Sequence, residues 1–470
     1  MFDYYKLSPL YTDLYQLTMA QAYFQNNMHK RRASFDYFFR KLPFKGGYVV
    51  FAGLFDLVRY VEQLRFSDDD IYYLQNHGFD KRFLEYLKTF RFEGDISGMR
   101  EGELVFPFEP VVRVEGNLIE AQLVETLLLN IVNFQSLIAT KASRIRFVSG
   151  NRMLSDFGLR RAQSFGAMHA SKAAIIGGFN STSNVLAAKK FELPHVGTMA
   201  HSFIESFGDE LTAFRAYSNA FPKACTLLVD TYNTLFSGIP NAITVAKEMR
   251  QKGESLNGIR LDSGDLAYLS KKAREMLDYD NLQQVKIIVS NQLDEYVIKS
   301  LLDQNAPIDI FGVGTSLVTG QPDAALDGVF KLAQVDKTPT LKISENLQKT
   351  TLPGLKKILR FFDRDGMFYA DAIMLQEENE IDLMFHPFEK HKSLNLSDLK
   401  CEDLLYSYMT EGAIVAQPEN PVDTNKRLKT RLNLLPDEHK RFDYPHIYKV
   451  GISQKLMTLR DALLRKHNDI

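Results

Sequence analysis

Four short apolar runs do most to limit what this chain can become: LLVDT (227–231), GIRLDSGD (258–265), KIIVSN (286–291) and IDIFGVGT (308–315). Each ends in small or polar residues, and helix-like segments separate them: PNAITVAKEMRQKG, LAYLSKKAREMLDYD and LDEYVIKSLLDQN. Strand, polar turn and helix thus recur at intervals of about 25–30 residues, the signature of parallel βαβ units in a barrel or an open sheet. Both architectures bind ligands at the carboxyl ends of the strands. That rule selects Asp230, Asp262, Ser263, Gly264, Asp265, Ser290, Asn291, Gly312, Gly314 and Thr315.

At 470 residues the chain has room for more than this unit. TDLYQLTMAQAYFQN (12–26) spaces its apolar residues as a helix, ASFDYFFRKLP reads as a strand ended by proline, and YVVFAGLFDLVRYVEQL returns to helix. EGELVFPFEPVVRVEGN, rich in Val, Phe and Pro, predicts short strands with bends. A continuous helical pattern then runs from about 117 to 148. The expected organisation is an N-terminal α/β domain over 1–140, the βα region over 141–345 and a supporting region over 346–470, where charge density rises and the cadence is lost. His386 and His391 lie five apart in that last region, off a common helix face, and read as solvated surface.

Lys and Arg number 57 against 58 Asp and Glu, so no overall charge draws the chain to nucleic acid or to an anionic membrane. An anionic ligand must be held by a local site. MFDYYKLSPLYTDLYQLTM lacks a basic start followed by an apolar run, and no later stretch approaches the ~18 uncharged apolar residues of a membrane span. Only Cys225 and Cys401 are present, too few for a disulfide framework. The expectation is a cytoplasmic protein.

Within GIRLDSGDLAYL, Arg260 sits in a strand while Asp262 and Asp265 bracket Ser-Gly at its end. Asp265 could simply cap the next helix, but a strand-borne arginine with acids in the loop also suits a carboxylate or phosphate together with hydroxyls or a hydrated Mg²⁺. IDIFGVGTSLVTG places Gly312, Gly314 and Thr315 where backbone N–H groups can approach an anion. Leu317 breaks the G-x-G-x-x-G pattern, so a monophosphate cradle fits better than a dinucleotide site. FGLRRAQS carries Arg160 and Arg161, and GGFNSTSNVLAAKKF offers Ser183 as a helix cap. In GTMAHSFIESF, Ser202 and Glu205 satisfy a capping box that would leave His201 just outside the helix; in another register His201 and Glu205 share a face.

In this order, TDLYQLTMAQAYF, the EP…V.G…AQLVET segment, FGLRRAQ, GGFNSTSNVLA, GTMAHSF, GIRLDSGDL, IDIFGVGTSLVT and PHIYKVGIS give a chain that resembles the nicotinate phosphoribosyltransferase family over most of its length. The resemblance implies an irregular α/β barrel of the type II phosphoribosyltransferase kind, with an N-terminal α/β domain packed on the barrel of a partner subunit in a homodimer, and a C-terminal extension. It implies a reaction of NAD salvage that joins nicotinate to phosphoribosyl pyrophosphate, with Mg²⁺ on the diphosphate rather than on assigned protein ligands. ATP is then a co-substrate, hydrolysed through a phosphohistidine at His201, and no tightly bound organic cofactor is expected.

By the same resemblance, Tyr15 would stack on the pyridine ring across the dimer interface, and Arg260 with Thr198 would hold the carboxylate. Arg160 would contact substrate or diphosphate, and Asp262 and Asp265 would position ribose hydroxyls or the Mg²⁺ shell. Ser290, Asn291, Gly312, Gly314, Thr315 and Thr319 would cradle the 5-phosphate. Ser183 stands where the related nicotinamide-using enzyme has an acid, which favours a carboxylate substrate. Two alternatives stay open at this stage: an enzyme acting on nicotinamide or quinolinate, and a phosphosugar-binding barrel without activity.

Overall fold

The computed structural model describes residues 7–344, 349–389 and 391–468, so the first six residues of the N-terminal reading lie outside it. The chain divides into two compact units, one built from 1–137, 325–419 and 426–470, the other from 138–324 with 420–425.

In the first unit, Arg32–Phe39 is buried along nearly its whole length, as its run of aromatic and small residues requires. It pairs antiparallel with Val112–Asn117 on one side and Gly328–Val335 on the other, at the centre of a seven-stranded sheet. Phe35 stacks on Phe330 across that ladder, with ring centroids 4.9 Å apart. A second, six-stranded sheet is built from the C-terminal region around Lys356–Phe362 and Phe368–Leu375. The charge-dense stretch after 345 therefore combines short strands with the helices Pro421–Leu434 and Gln454–Asn468, without a βα cadence.

The second unit carries the parallel strands. Its six-stranded sheet runs, in spatial order, Ser181–Thr182, Met153–Asp156, Ile310–Val313, Lys286–Ser290, Gly258–Leu261 and Thr226–Leu228, with every ladder parallel. Helices Ile239–Gln251, Leu266–Tyr279 and Glu295–Asp303 connect successive strands. The polar turns between strand and helix are mostly caps: Asp265 accepts from Ala267 N and Tyr268 N, and Asp294 from Tyr296 N and Val297 N. The strand order is circular in sequence, since Met153–Asp156 lies between Ser181–Thr182 and the last strand, and a bridge joins Thr182 to His195. Among the described residues no ladder closes the remaining gap to Thr226–Leu228, so what is established is a mixed α/β fold with an open parallel sheet.

One expectation needs correction. Leu118–Ser149 is helical, and its length and composition do pass for a membrane span; 67% of its most apolar window is buried inside the protein. The run is apolar because it is a core helix.

Candidate active site

Arg260 lies at the carboxyl end of the parallel sheet and is the most connected group there. Its Nε donates to Ser290 Oγ at 2.8 Å, one terminal nitrogen to Thr198 Oγ1 at 2.9 Å and the other to Asp262 Oδ1 at 2.8 Å. Ser290 Oγ donates to the same Asp262 oxygen. The guanidinium lies 5.4 Å from the centroid of the Phe157 ring, and the side chain is 14% exposed. These bonds occupy three of the five N–H groups that a guanidinium carries. Two of the three acceptors are neutral hydroxyls and the third is the Asp262 carboxylate; together they fix the plane of the fork and leave two N–H groups to meet a ligand.

Asp230 joins this group to His201. Its side chain is 1% exposed, and Oδ2 accepts from Asp262 N at 2.8 Å and Ser263 Oγ at 2.6 Å. Oδ1 is buried without a hydrogen bond and lies 3.9 Å from His201 Nε2. On the other edge of the ring, Nδ1 is 3.0 Å from Thr231 Oγ1. Thr231 bonds one edge of the ring and Asp230 stands opposite the other edge, beyond hydrogen-bond distance, so the two residues bracket the imidazole and set its orientation. The imidazole is 39% exposed, within reach of a ligand.

The local register at His201 matches the second sequence reading rather than the first, since His201 and Glu205 fall four residues apart inside one helix. The helix is His201–Ser206, capped by Ala200 with no side-chain bond, so His201 is its first residue and Ser202 lies inside it. The capping box does not form because the helix starts two residues earlier than that box requires, with Ala200 rather than Ser202 at the cap, after a segment tied to Arg260 through Thr198. The carboxylate beside the ring comes from Asp230, not Glu205. Ser183 is likewise not a cap. Asn184 takes that place, accepting from Ala187 N at 3.2 Å, while half-buried Ser183 donates its backbone N–H to Asp156 O at 2.8 Å.

The remaining predicted residues are distributed around this centre. Asp265 is exposed and caps its helix through Oδ1. Asn291, directly after buried Ser290, has φ +81°, a strained conformation of the kind that gathers at functional sites. Gly312 has a packing reason as well as any binding one, since a Cβ there would lie 2.4 Å from the Phe157 ring. Gly314 precedes the short helix Thr315–Val318, and the Thr319 hydroxyl donates to Thr315 O at 2.6 Å. Arg160 is exposed on the turn Leu159–Arg161. Tyr15 is the exception: it belongs to the first unit, on helix Leu14–Gln25, about half exposed, with its phenol pKa raised by burial and then by Glu125.

Three residues gain weight that sequence reading had not given them. The strand-end rule picks out Asp230 without a role, and it passes over Thr231 and Asp156. The signal for the first two was the Asp-Thr ending of LLVDT, directly at a strand terminus.

The comparisons with known proteins agree along the chain. Family models match three stretches: the nicotinate phosphoribosyltransferase N-terminal domain over 10–133, the nicotinate phosphoribosyltransferase family over 153–390 and its C-terminal domain over 355–460. The nicotinate phosphoribosyltransferase of Bacillus subtilis (strain 168) is 45% identical over 458 residues, covering 95% of this chain and 93% of its own. The crystal structure of human nicotinic acid phosphoribosyltransferase superposes with a TM-score of 0.87 at 31% identity, over 96% of this chain and 99% of that one. A nicotinate-nucleotide pyrophosphorylase structure from Pyrococcus furiosus, 23% identical with a TM-score of 0.72 over 90% of this chain and 95% of its own, shares the fold.

Proposed function

The chain belongs to the nicotinate phosphoribosyltransferase family, and from that premise we propose that it joins nicotinate to phosphoribosyl pyrophosphate, yielding nicotinate mononucleotide and pyrophosphate, with ATP hydrolysis coupled through a phosphorylated His201, in NAD salvage. The observation that carries this reading is Arg260, held by Ser290, Thr198 and Asp262 with two donors to spare at the strand ends. In this reading Arg260 and Thr198 take the nicotinate carboxylate, and Arg160 takes substrate or diphosphate. Ser290, Asn291, Gly312, Gly314, Thr315 and Thr319 receive the 5-phosphate.

Displacement at the anomeric carbon builds positive charge on the ribose, so carboxylates fixed beforehand lower the barrier. Asp262 and Asp265 serve that role and orient the ribose hydroxyls. Among the described residues no group of three or more His, Cys, Asp or Glu side chains is placed to hold a metal ion directly, so in this reading the buried Asp230 Oδ1 and the acids near it act on a hydrated cation carried by the diphosphate. Mg²⁺ on the diphosphate would neutralise the leaving group there, its water shell held by Asp262 and Asp265. His201 receives the phosphoryl group of ATP, with Thr231 and Asp230 fixing the ring.

The circular strand order supports reading the parallel sheet as an irregular barrel. Exposed Leu159, Phe165, Tyr232, Phe236 and Tyr268 crowd the loops after its strands, the kind of apolar surface that marks an interface, which supports a homodimer with Tyr15 reaching the pyridine from the partner.

Pyrophosphate release should occur with nicotinate and not with nicotinamide or quinolinate. ATP should stimulate the wild type and have no effect on His201→Ala. Equal release with nicotinamide would overturn the substrate assignment, and ATP stimulation persisting in His201→Ala would overturn the phosphohistidine.

A further inference from the structure

Asp156 ends the strand Met153–Asp156 and is 1% exposed. Oδ1 accepts from Gly158 N at 2.8 Å. Oδ2 accepts from Ser171 Oγ and from Thr182 Oγ1, each at 2.8 Å. Its backbone oxygen accepts from Ser183 N at 2.8 Å. All three side-chain partners are donors, and an ionised carboxylate, which only accepts, matches them without leaving an N–H or O–H to place. Burial raises the pKa of this carboxyl, and those same bonds offset only part of the rise.

The partners lie on different pieces of the site. Gly158 begins the turn that carries Arg160, directly after Phe157, the ring beneath Arg260 and against Gly312. Thr182 leads into Ser183, and its hydroxyl also accepts from Asn184 N at 3.0 Å. Thr182 further exchanges backbone bonds with the segment before Thr198: its N–H donates to Pro194 O, and Val196 N donates to its carbonyl. Ser171 belongs to helix Gly166–Gly177, which braces both loops from behind.

We infer that Asp156 is a positioning residue of the transferase site, a buried latch that holds the Phe157–Arg161 turn and the Thr182–Asn184 loop in one register, so that Phe157, Arg160 and Ser183 meet the substrate at a fixed spacing. The inference rests on the proposed function for its substrate, and on the bonds alone for the latch. It separates two kinds of acid in the unit: Asp262 and Asp265 stand at the ligand, whereas Asp156 touches no ligand and acts through the loops it joins.

The test compares wild type with Asp156→Ala, Asp156→Asn and Thr182→Val by steady-state kinetics, thermal unfolding and amide exchange at 157–162 and 181–184. Asp156→Ala should lower kcat/KM for nicotinate about 100-fold, the scale of a misplacement near 1 Å. Asp156→Asn should recover about tenfold of that, because its amide oxygen still accepts from Gly158 N and the two hydroxyls can rotate to accept from its N–H groups. Thr182→Val cuts one strut and should raise KM more than it lowers kcat, with exchange faster at 181–184 and unchanged at 157–162. Wild-type kcat and KM in a folded Asp156→Ala would overturn the latch. So would activity losses in all three variants that merely follow the folded fraction. If wild type releases no pyrophosphate with nicotinate while Asp156→Ala still loosens both loops, the latch stands and the proposed reaction falls.

Discussion

The two units each hold an arginine beneath or between aromatic rings, and the partners of the two differ. Arg360, in the first unit, is fully buried among Phe106, Phe368 and Tyr448. It donates to both oxygens of Asp371, to Glu103 and to Leu104 O, and Tyr448 donates to Asp371 in turn. Burial works against its charge, but Asp371 and Glu103 outweigh that and raise its pKa well above the usual value. Arg260, in the second unit, has two hydroxyls and one shared carboxylate. An arginine whose fork is closed by two acids and a carbonyl is a structural rivet; one held by two hydroxyls and a single shared acid is aimed, with two N–H groups left for a further anion.

The sharpest way to break this contrast is to remove each guanidinium. Arg360→Ala would leave Asp371 buried without a counter-charge and Glu103 with Arg431 alone, beside Glu109, whose pKa burial and then Asp371 already push well up. A loss of about 3–5 kcal/mol in stability is expected, read as a lower urea midpoint. Arg260→Lys should instead keep the fold and lose the planar fork, lowering kcat/KM for nicotinate about 100-fold with little change in unfolding midpoint. If the two substitutions exchanged these effects, the assignment of rivet and clamp would be reversed.

A smaller effect sharpens what the clamp selects. Ser183 lies within the Thr182–Asn184 loop, donates its backbone N–H to Asp156 O and carries no charge. Ser183→Asp should raise KM for nicotinate about tenfold through repulsion of its carboxylate, and leave KM for phosphoribosyl pyrophosphate nearly unchanged. Unchanged nicotinate kinetics would remove Ser183 from the pyridine site.

The same contrast explains what could be read from sequence. The βα cadence and the strand-end residues Arg260, Asp262, Ser290 and Gly312 were legible because period and turn chemistry are local. Asp265 as a cap was legible for the same reason. Asp230 beside His201 was not, because 29 positions separate them and only strand register brings a carboxylate to that ring. Local grammar offered two helix starts here, and the one marked by the Ser202 capping box did not form: the helix begins at His201, three residues after Thr198, which is bonded to Arg260. In the first unit the pairing of Arg32–Phe39 with Gly328–Val335 joins segments that the whole βα region separates in sequence, and no periodicity encodes it. Arg360 shows the same limit: nothing in KKILRFF announces that its arginine is buried.

The smallest effect concerns pH, and the units should respond with opposite signs. In the first unit His439 is buried against Tyr448, with Nδ1 2.7 Å from His446 O. Burial lowers its pKa below the usual 6.5 and outweighs the bond to His446. The unfolded chain therefore takes up a proton that the folded chain resists, so stability rises with pH across this window. This contribution is fully present above pH 6.5 and is lost as pH falls through the depressed folded value. Asp156 in the second unit runs the other way: its raised pKa makes its contribution fullest below 3.8 and lost as pH rises through the folded value. One such proton changes stability by at most ~1.4 kcal/mol per pH unit. His439→Gln keeps a donor for His446 O and should flatten the decline in urea midpoint between pH 7.5 and 5, whereas Asp156→Asn should leave that slope alone. An unchanged slope in His439→Gln would place the acid-sensitive group elsewhere, and a slope altered by Asp156→Asn would show that its carboxyl titrates within the range assigned here to His439.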